Sequence, residues 1–367
     1  MPSELVYQMA LTLTPHIGCV VAKKLVEHFG SAQAIYTAKE SHLSLLEGIG
    51  SIRAKSIKAF SNFDRCEQEL KFIEKNNIQP LFLNDAAYPQ RLLQCYDSPT
   101  LLFYKGTANL NASKIISIIG TRNCTDYGKA FTDKITTELA AENVTIVSGM
   151  AYGIDTIAHK AAVKNSLSTV GVLAHGLGTL YPPENVQLAR QMINDNGGLL
   201  TEFMSGTKPD KHNFPTRNRV VAAIADATIV VETDIRGGSM ITAELANNYN
   251  RDVFAVPGKT TDAKSRGCNH LIRQNKAALL TSAQELLEMM NWQPLLDKKK
   301  NVQRQLFIEL TKEEKLIFDL MNTVEQIQLD QLYLKSGLTS SAVAGALLSL
   351  ELQNVVQSLP GKVYKVL

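Results

Sequence analysis

The densest chemistry in the chain lies in the run Lys211-His212-Asn213-Phe214-Pro215-Thr216-Arg217-Asn218-Arg219. Lys211, Arg217 and Arg219 supply cationic charge of the kind that binds phosphate. Phe214 offers a ring on which a nucleobase can stack. Asn218 can hydrogen-bond a base edge, or brace a turn. Pro215 suits the first turn of a helix, which sets Arg217 near the positive end of that helix. The competing reading leaves one arginine exposed and pairs the other with a carboxylate such as Glu232.

A second set of residues repeats one theme along the chain. Apolar runs end in polar, glycine-rich turns: Gly120-Thr121-Arg122, then Ser148-Gly149-Met150-Ala151-Tyr152-Gly153-Ile154-Asp155, then Ala174-His175-Gly176-Leu177-Gly178. Glu232 to Ser239 follows, with Gly237-Gly238-Ser239, and then Val256-Pro257-Gly258. Glycine lets a backbone approach a ligand, and a helix starting at Gly238-Ser239 presents free N–H groups to an anion. Arg122 projects from the first turn, and Thr125 or Asp126 can cap the helix after it. His159, one turn inside the helix after Gly153, reads as structural. No Gly-x-x-x-x-Gly-Lys-Ser/Thr and no Gly-x-Gly-x-x-Gly follows the first of these runs, which disfavours a P-loop NTPase or a standard dinucleotide enzyme.

The elements that position these turns follow from hydrophobic pattern. Strands are expected at Ile115–Ile119, Val144–Val147, Thr169–Leu173, Thr228–Val231 and Val253–Val256. Helices are expected around Lys129–Ala141, Asp155–Val163, Glu184–Asn194, Met240–Asn248 and Ala283–Met290. Continuous Ile/Val strands alternating with helices predict an α/β fold with a Rossmann-like, doubly wound parallel sheet. Its ligand site then lies at the carboxyl ends of the strands, where the turns are.

Two further segments flank this core. At roughly 150 residues per domain, 367 residues predict two to three domains. Residues 1–79 carry nine basic and eight acidic side chains, residues 80–304 carry 24 and 20, and residues 305–367 carry five and seven. The expected organisation is therefore a helical domain over 1–79, an extended Rossmann-like domain over 80–293, a linker over 294–304 and a last domain over 305–367. In the first, Ile17-Gly18-x-x-x-Ala22-Lys23 recurs as Ile49-Gly50-x-x-x-Ala54-Lys55, 32 residues on. Each copy reads as helix, glycine turn, helix, which resembles a helix-hairpin-helix (SAM-like) arrangement. A plain helical bundle with tight turns fits the same residues. In the last, helices near Lys312–Met321, Leu329–Ser336 and Ser340–Leu352 precede a hairpin around Pro360-Gly361, the order of a winged helix. Its recognition-helix candidate, Ser340 to Leu350, holds no Lys or Arg and is rich in small residues. A protein-contact or packing role is expected there, with nucleic-acid affinity resident in the core.

Composition limits the alternatives. With 45% hydrophobic and 20% charged residues, the chain is not mostly disordered. No apolar run reaches the ~18 residues of a membrane helix, and the start has no basic region or cleavage site of a signal peptide. Five cysteines, none closer than 29 residues to the next, give neither a disulfide framework nor a zinc spacing, so a reducing cytoplasm and no metal are expected.

In this order the motifs resemble the DNA-processing protein A family (DprA, also called Smf). The resemblance is carried by Tyr88-Pro89, Asp97-Ser98-Pro99, Gly120-Thr121-Arg122, Ser148-Gly149-x-Ala151-x-Gly153-Ile154-Asp155 and Ala158-His159. It continues through Phe214-Pro215-x-Arg217-Asn218-Arg219, Gly238-Ser239-x-Ile241-Thr242-Ala243 and Val256-Pro257-Gly258. It implies a protein that binds and protects single-stranded DNA and loads the RecA recombinase onto it in natural transformation. It implies a homodimer through the Rossmann domain, no cofactor and no catalytic residue. It maps DNA contacts to Arg122, Lys211, Phe214, Arg217 and Arg219. Together with the strand-end turns, the candidate DNA-binding set is Gly120, Thr121, Arg122, Ser148, Gly149, Lys211, Phe214, Arg217, Asn218, Arg219, Gly238 and Ser239. Departures from the family pattern are Thr121 where Ser is common, Gly238 where Ser often precedes Gly-Ser, and Asn275-Lys276-Ala277 where Gly-Ala is usual. The alternative is a Rossmann-like nucleotide phosphoribohydrolase with Glu244 as its carboxylate, though the spacing of Gly237-Gly238-Ser239 to Glu244 departs from that motif. A third reading is a regulator that binds DNA through the winged helix.

Overall fold

Short helices account for the start of the chain: α1 (Glu4–Leu13), α2 (Cys19–Phe29), α3 (Ala32–Thr37), α4 (Glu40–Leu45), α5 (Gly50–Lys58) and α6 (Phe63–Lys75). The structure is a computed structural model that describes residues 3–292, 310–324, 326–353, 355–359 and 363–366. The linker expected over 294–304 lies outside the described residues. The two sequence repeats start α2 and α5, but their backbones differ. Gly48 and Gly50 take φ of 83° and 63°, the left-handed region that glycine enters without strain, whereas Gly18 has an ordinary φ of −83°. Arg53 links the two turns, donating from Nε to the His16 carbonyl at 3.2 Å and from Nη1 to the Gly48 carbonyl.

Nine strands follow in one sheet: β1 (Gln79–Phe82), β2 (Leu101–Gly106), β3 (Ile115–Ile119), β4 (Thr145–Ser148), β5 (Thr169–Val172), β6 (Gly198–Thr201), β7 (Ala227–Val230), β8 (Asp252–Ala255) and β9 (Ala278–Leu279). Their spatial order is β1-β2-β6-β5-β4-β3-β7-β8-β9. From β6 across to β9 every neighbouring pair is parallel, while β1–β2 and β2–β6 are antiparallel. The helices between and after the strands are α7 (Gln90–Leu93), α8 (Asp126–Glu138), α9 (Ile154–Lys164), α10 (Val186–Asn194), α11 (Asn213–Ile224), α12 (Gly238–Asn248), α13 (Arg266–Arg273) and α14 (Ala283–Met289).

Strand β3 shows why the sheet is wound on both sides. Its five residues are all buried. Ile115 and Ile119 face a core with Val220, Val221 and Met240 of α11 and α12. Ile116 and Ile118 face the opposite core with Phe131, Ile135 and Ile154 of α8 and α9. Side chains alternate across a strand, so apolar residues are needed at both parities where both faces are covered, and the one polar residue, Ser117, donates its hydroxyl to the Val221 carbonyl at 2.6 Å.

The five expected strands are present to within a residue or two, and β1, β2, β6 and β9 add to them. Strand β1 crosses the boundary expected at 79/80, and Pro80 sits in it because β1 is at the sheet's edge, where a missing N–H is tolerated. The helical segment shares its core with this end of the sheet: Val6, Leu25 and Ile35 cluster with Phe82, Leu101 and Phe103. Residues Met1–Trp292 accordingly form one compact unit, and Gln293–Leu367 a second.

The second unit is a winged helix with α15 (Lys312–Met321), α16 (Leu329–Ser336) and α17 (Ser340–Leu352), and strands β10 (Ile327–Gln328), β11 (Val356–Leu359) and β12 (Val363–Val366) in the order β10-β12-β11. Thr311 and Glu314 form a capping box that fixes the start of α15. Ile317, Leu332, Val343, Leu350 and Val356 make its core. Among the described residues no helix is long and apolar enough to cross a membrane.

Candidate functional site

The order of the strands reverses beside β3: β4, β5 and β6 extend to one side and β7, β8 and β9 to the other. Open α/β sheets form a ligand crevice at such a point, beyond the carboxyl ends of the strands. A cavity of about 490 Å³ lies there, lined by the turns after β3, β4 and β7 and by the start of α11. It brings together Gly120, Thr121, Arg122, Gly149, Lys211, Phe214, Arg217, Asn218, Gly238 and Ser239. These are ten of the candidate DNA-binding residues.

The turn after β3 is held from beneath. Glu232, 1% exposed, accepts the Thr125 N–H at 2.9 Å and the Thr125 hydroxyl, and its own carbonyl accepts the Thr121 N–H at 2.7 Å. Glu232 thus braces the loop and pairs with neither arginine of the 211–219 run. Arg122 is left exposed, with its guanidinium carbon 5.2 Å from the centroid of the Phe214 ring. The Tyr181 ring stands 6.3 Å from Phe214. A cation over an aromatic face is attracted to it and holds the ring in place for stacking. The Tyr181 backbone N–H donates to His175 Nε2 at 3.2 Å, so that nitrogen is unprotonated. Burial pushes the His175 pKa down, which keeps the ring in this accepting form. His159 is a core residue, as expected: it is wholly buried 2.7 Å from Thr169 Oγ1, and burial lowers its pKa to about 3.

Arg217 and Arg219 part company. In a helix each residue advances about 100°, so residues two apart point to nearly opposite sides. Arg217 lines the cavity floor and is 5% exposed. Its Nη1 donates to the Val172 carbonyl at 2.6 Å and to the Gly149 carbonyl. Burial pulls its pKa down to about 10, with buried Asp155 acting in the other direction, so the guanidinium stays charged at neutral pH. A Cβ on Gly149 would fall 2.2 Å from Arg217 Nη1, which is why the chain needs glycine at that point. Arg219 faces away from the cavity. It is not among the residues that line the cavity: it pairs with Glu202 and donates to the Asp97 carbonyl, which holds its guanidinium in a structural ion pair. Ser148 also turns away: its hydroxyl is buried and donates to the Ile118 carbonyl at 2.6 Å, tying β4 to β3.

Three charged residues that line the cavity were not among the candidate DNA-binding residues. Asp155 caps the turn before α9, accepting the Gly149 and Ala151 N–H groups at 3.1 and 3.3 Å. Its place at the start of the helix after Gly153 was the available signal. Asp234 and Lys264 also line the cavity. Lys264 arrives through a backbone bond, its carbonyl accepting the Thr233 N–H at 2.8 Å, and no local pattern announces it. Glu244 lies outside the cavity, 3.8 Å from Lys276 Nζ. No group of three metal-binding side chains occurs among the described residues.

The model of the family described as DNA recombination-mediator protein A matches residues 79–291, the whole of the sheet and its cavity. The chain belongs to this family, the DprA/Smf proteins. A DprA winged helix domain model matches residues 305–362, and a helix-hairpin-helix motif model matches residues 9–69. Protein Smf of Synechocystis sp. is 32% identical over 395 residues, covering 99% of this chain and 99% of that protein. DNA processing protein DprA of Streptococcus pneumoniae is 43% identical over 203 residues, 55% of this chain and 71% of that one. The X-ray structure of DNA processing protein A from Streptococcus pneumoniae aligns over 77% of this chain and 97% of its own, at 31% identity and a TM-score of 0.66. That of the Helicobacter pylori protein, described for its single-stranded DNA binding mode, aligns over 58% of this chain and 95% of its own at 31% identity and a TM-score of 0.53.

Proposed function

We propose that the cavity and its rim bind single-stranded DNA, and that the chain protects the strand and loads RecA recombinase onto it in natural transformation, acting as a homodimer through the sheet domain. The observation that carries the binding reading is Arg122 over Phe214 at the mouth of the switch-point cavity. A ring needs an unpaired base to stack upon it, whereas in a duplex both faces of each base are covered. Arg122 and Lys211, both exposed, supply phosphate charge beside the ring. The RecA and dimer parts rest on family membership, and light scattering of the full chain at micromolar concentration tests the dimer.

Matched single- and double-stranded oligonucleotides in a gel shift at stated salt test the binding. Arg122→Ala weakens single-strand binding and flattens its salt dependence by about one unit. Phe214→Ala costs about 1–3 kcal/mol with little change in that slope. The salt effect belongs to Arg122 rather than Arg217, whose guanidinium is already committed to two carbonyls. Equal affinity for blunt duplex would overturn the single-strand reading.

The winged helix fits a protein contact better than a DNA contact. On α17 the exposed residues are Ser340, Ser341, Ala344, Gly345, Leu348, Glu351 and Leu352, with no cation among them. A helix that enters a groove needs charge to neutralise phosphate. A chain ending at Leu296 keeps its single-strand affinity within about threefold, well short of the loss of one charged contact. Loss of most of that affinity by a folded, truncated chain would return the DNA contact to this domain.

A further inference from the structure

We infer that the exposed face of α17 pairs with α17 of a second copy of this chain, the two helices running antiparallel about a two-fold axis. The inference rests on the protein-contact reading of the winged helix and names the partner which that reading leaves open.

The spacing on the helix identifies a helical partner. Each residue of a helix advances about 100°, so Ser341, Gly345, Leu348 and Leu352 fall in a strip about 60° wide. Val343, Ala346, Leu347 and Leu350 lie on the opposite side, buried in the core of their own domain. The strip steps by four, three and four residues, the interval at which one helix presents a narrow seam to another. On it Leu348 and Leu352 are 59% and 77% exposed. Helix α17 is thus apolar on both sides although its own domain covers only one, and a helix apolar all round is one that is covered all round. Gly345 adds to this. Glycine inside a helix is less favourable than alanine. A Cβ at Gly345 would meet nothing within 4 Å, so nothing among the described residues requires glycine there. A second helix passing close to the backbone would require it.

The order of the residues selects a second copy and its direction. The small residues Ser341, Ala344 and Gly345 occupy the N-terminal half of the exposed face, and the two leucines the C-terminal half. Run antiparallel, two such helices set Leu348 of each copy over Gly345 of the other and Leu352 over Ser341, large against small along the seam. A parallel pair would crowd leucine on leucine at one end and leave a gap at the other. Charge agrees with the antiparallel pair. Glu351, the one charged residue of α17, stands in its last turn, where the negative end of the helix disfavours a carboxylate. That carboxylate has no hydrogen bond or ion pair among the described residues. In the antiparallel pair it meets the first turn of the second copy's α17, a positive helix end that holds no acidic residue. One pair of helices covers less than the ~1,200 Å² of a standard interface, so the contact strengthens an association held elsewhere in the chain, such as the proposed sheet-domain dimer.

The test is a dilution series of the full chain in sedimentation equilibrium, with variants confined to the exposed face and thermal unfolding of each as the check on its fold. Leu348→Glu and Leu348→Lys each weaken self-association by about tenfold or more, since like charges meet across the axis. An equal mixture of the two associates at least about tenfold more tightly than either alone, because opposite charges then meet. Glu351→Lys weakens association by about threefold or more, through two symmetric helix-end contacts, and does not lower the unfolding temperature, because a cation suits the end of its own helix. A mixture of the Leu348 variants that associates no better than either alone overturns the inference. If association and single-strand affinity are both unchanged in every variant, the self-pairing falls and the protein-contact reading stands with a different partner. If Leu348→Glu weakens single-strand binding and Leu348→Lys strengthens it, with association unchanged in both, α17 is a DNA face and both readings fall.

Discussion

Arg219→Ala lowers the unfolding free energy by about 3–5 kcal/mol, the cost of leaving one partner of a buried ion pair alone, and leaves the single-strand affinity of the folded protein unchanged. The Arg219 and Glu202 side chains are only 13% and 14% exposed. The guanidinium also donates to the Asp97 carbonyl and approaches Cys19 Sγ at 3.4 Å. It therefore ties α11 to the Asp97-Ser98-Pro99 turn, to the residue after β6 and to α2. The Asp97 carboxylate is in turn engaged by the Tyr249 hydroxyl at 2.8 Å. The loss depends on pH in a defined direction. Burial raises the Glu202 pKa and Arg219 opposes that rise. Without Arg219 the carboxyl resists ionisation still more, so the defect is full above its folded pKa and shrinks as acid protonates it. Urea unfolding at pH 8 and pH 5 reads this out, with the larger deficit at pH 8. A variant that unfolds like the parent but fails to bind single strands would return Arg219 to the DNA surface.

That pair shows what local sequence conveys and what it does not. Arg217 and Arg219 look equivalent as side chains in a basic, aromatic run. Helical phase separates them, and only the position of the sheet says which side of α11 meets the cavity. The strand-end turns were readable because each has its cause nearby: an apolar run buried on both faces, then a glycine, then a helix start. Strands β3, β4, β5, β7 and β8 were found on that ground. Strand β1 was hidden by Pro80, which marks an edge strand as readily as a boundary, and β6 by the glycine that opens it, Gly198, which leaves only Leu199 and Leu200 as an apolar run. The three helices of the winged domain were legible to their ends, since each has an apolar face that repeats with the helical period and polar residues at its start. Lys264 could not be read at all. It reaches the cavity through a hydrogen bond between segments that the fold brings together, and nothing in its neighbours records that.

Gly149→Ala reduces single-strand affinity by about tenfold and destabilises the fold by ~1–3 kcal/mol, the penalty for orphaning a buried acceptor. Both effects come from the same displacement. The new methyl would stand 2.2 Å from Nη1, 2.6 Å from Cζ and 2.7 Å from Nη2 of Arg217, so the guanidinium must move. Moving it breaks the bonds to the Gly149 and Val172 carbonyls at the ends of β4 and β5. It also pushes the guanidinium off the floor and into the space a ligand would use. A double-mutant cycle isolates this cause from any general intolerance of alanine in the turn. Arg217→Met removes the guanidinium that the methyl meets, so Gly149→Ala costs distinctly less stability in that background than in the parent. Additive losses across the cycle would mean that the glycine serves the turn itself and not the arginine packed against it.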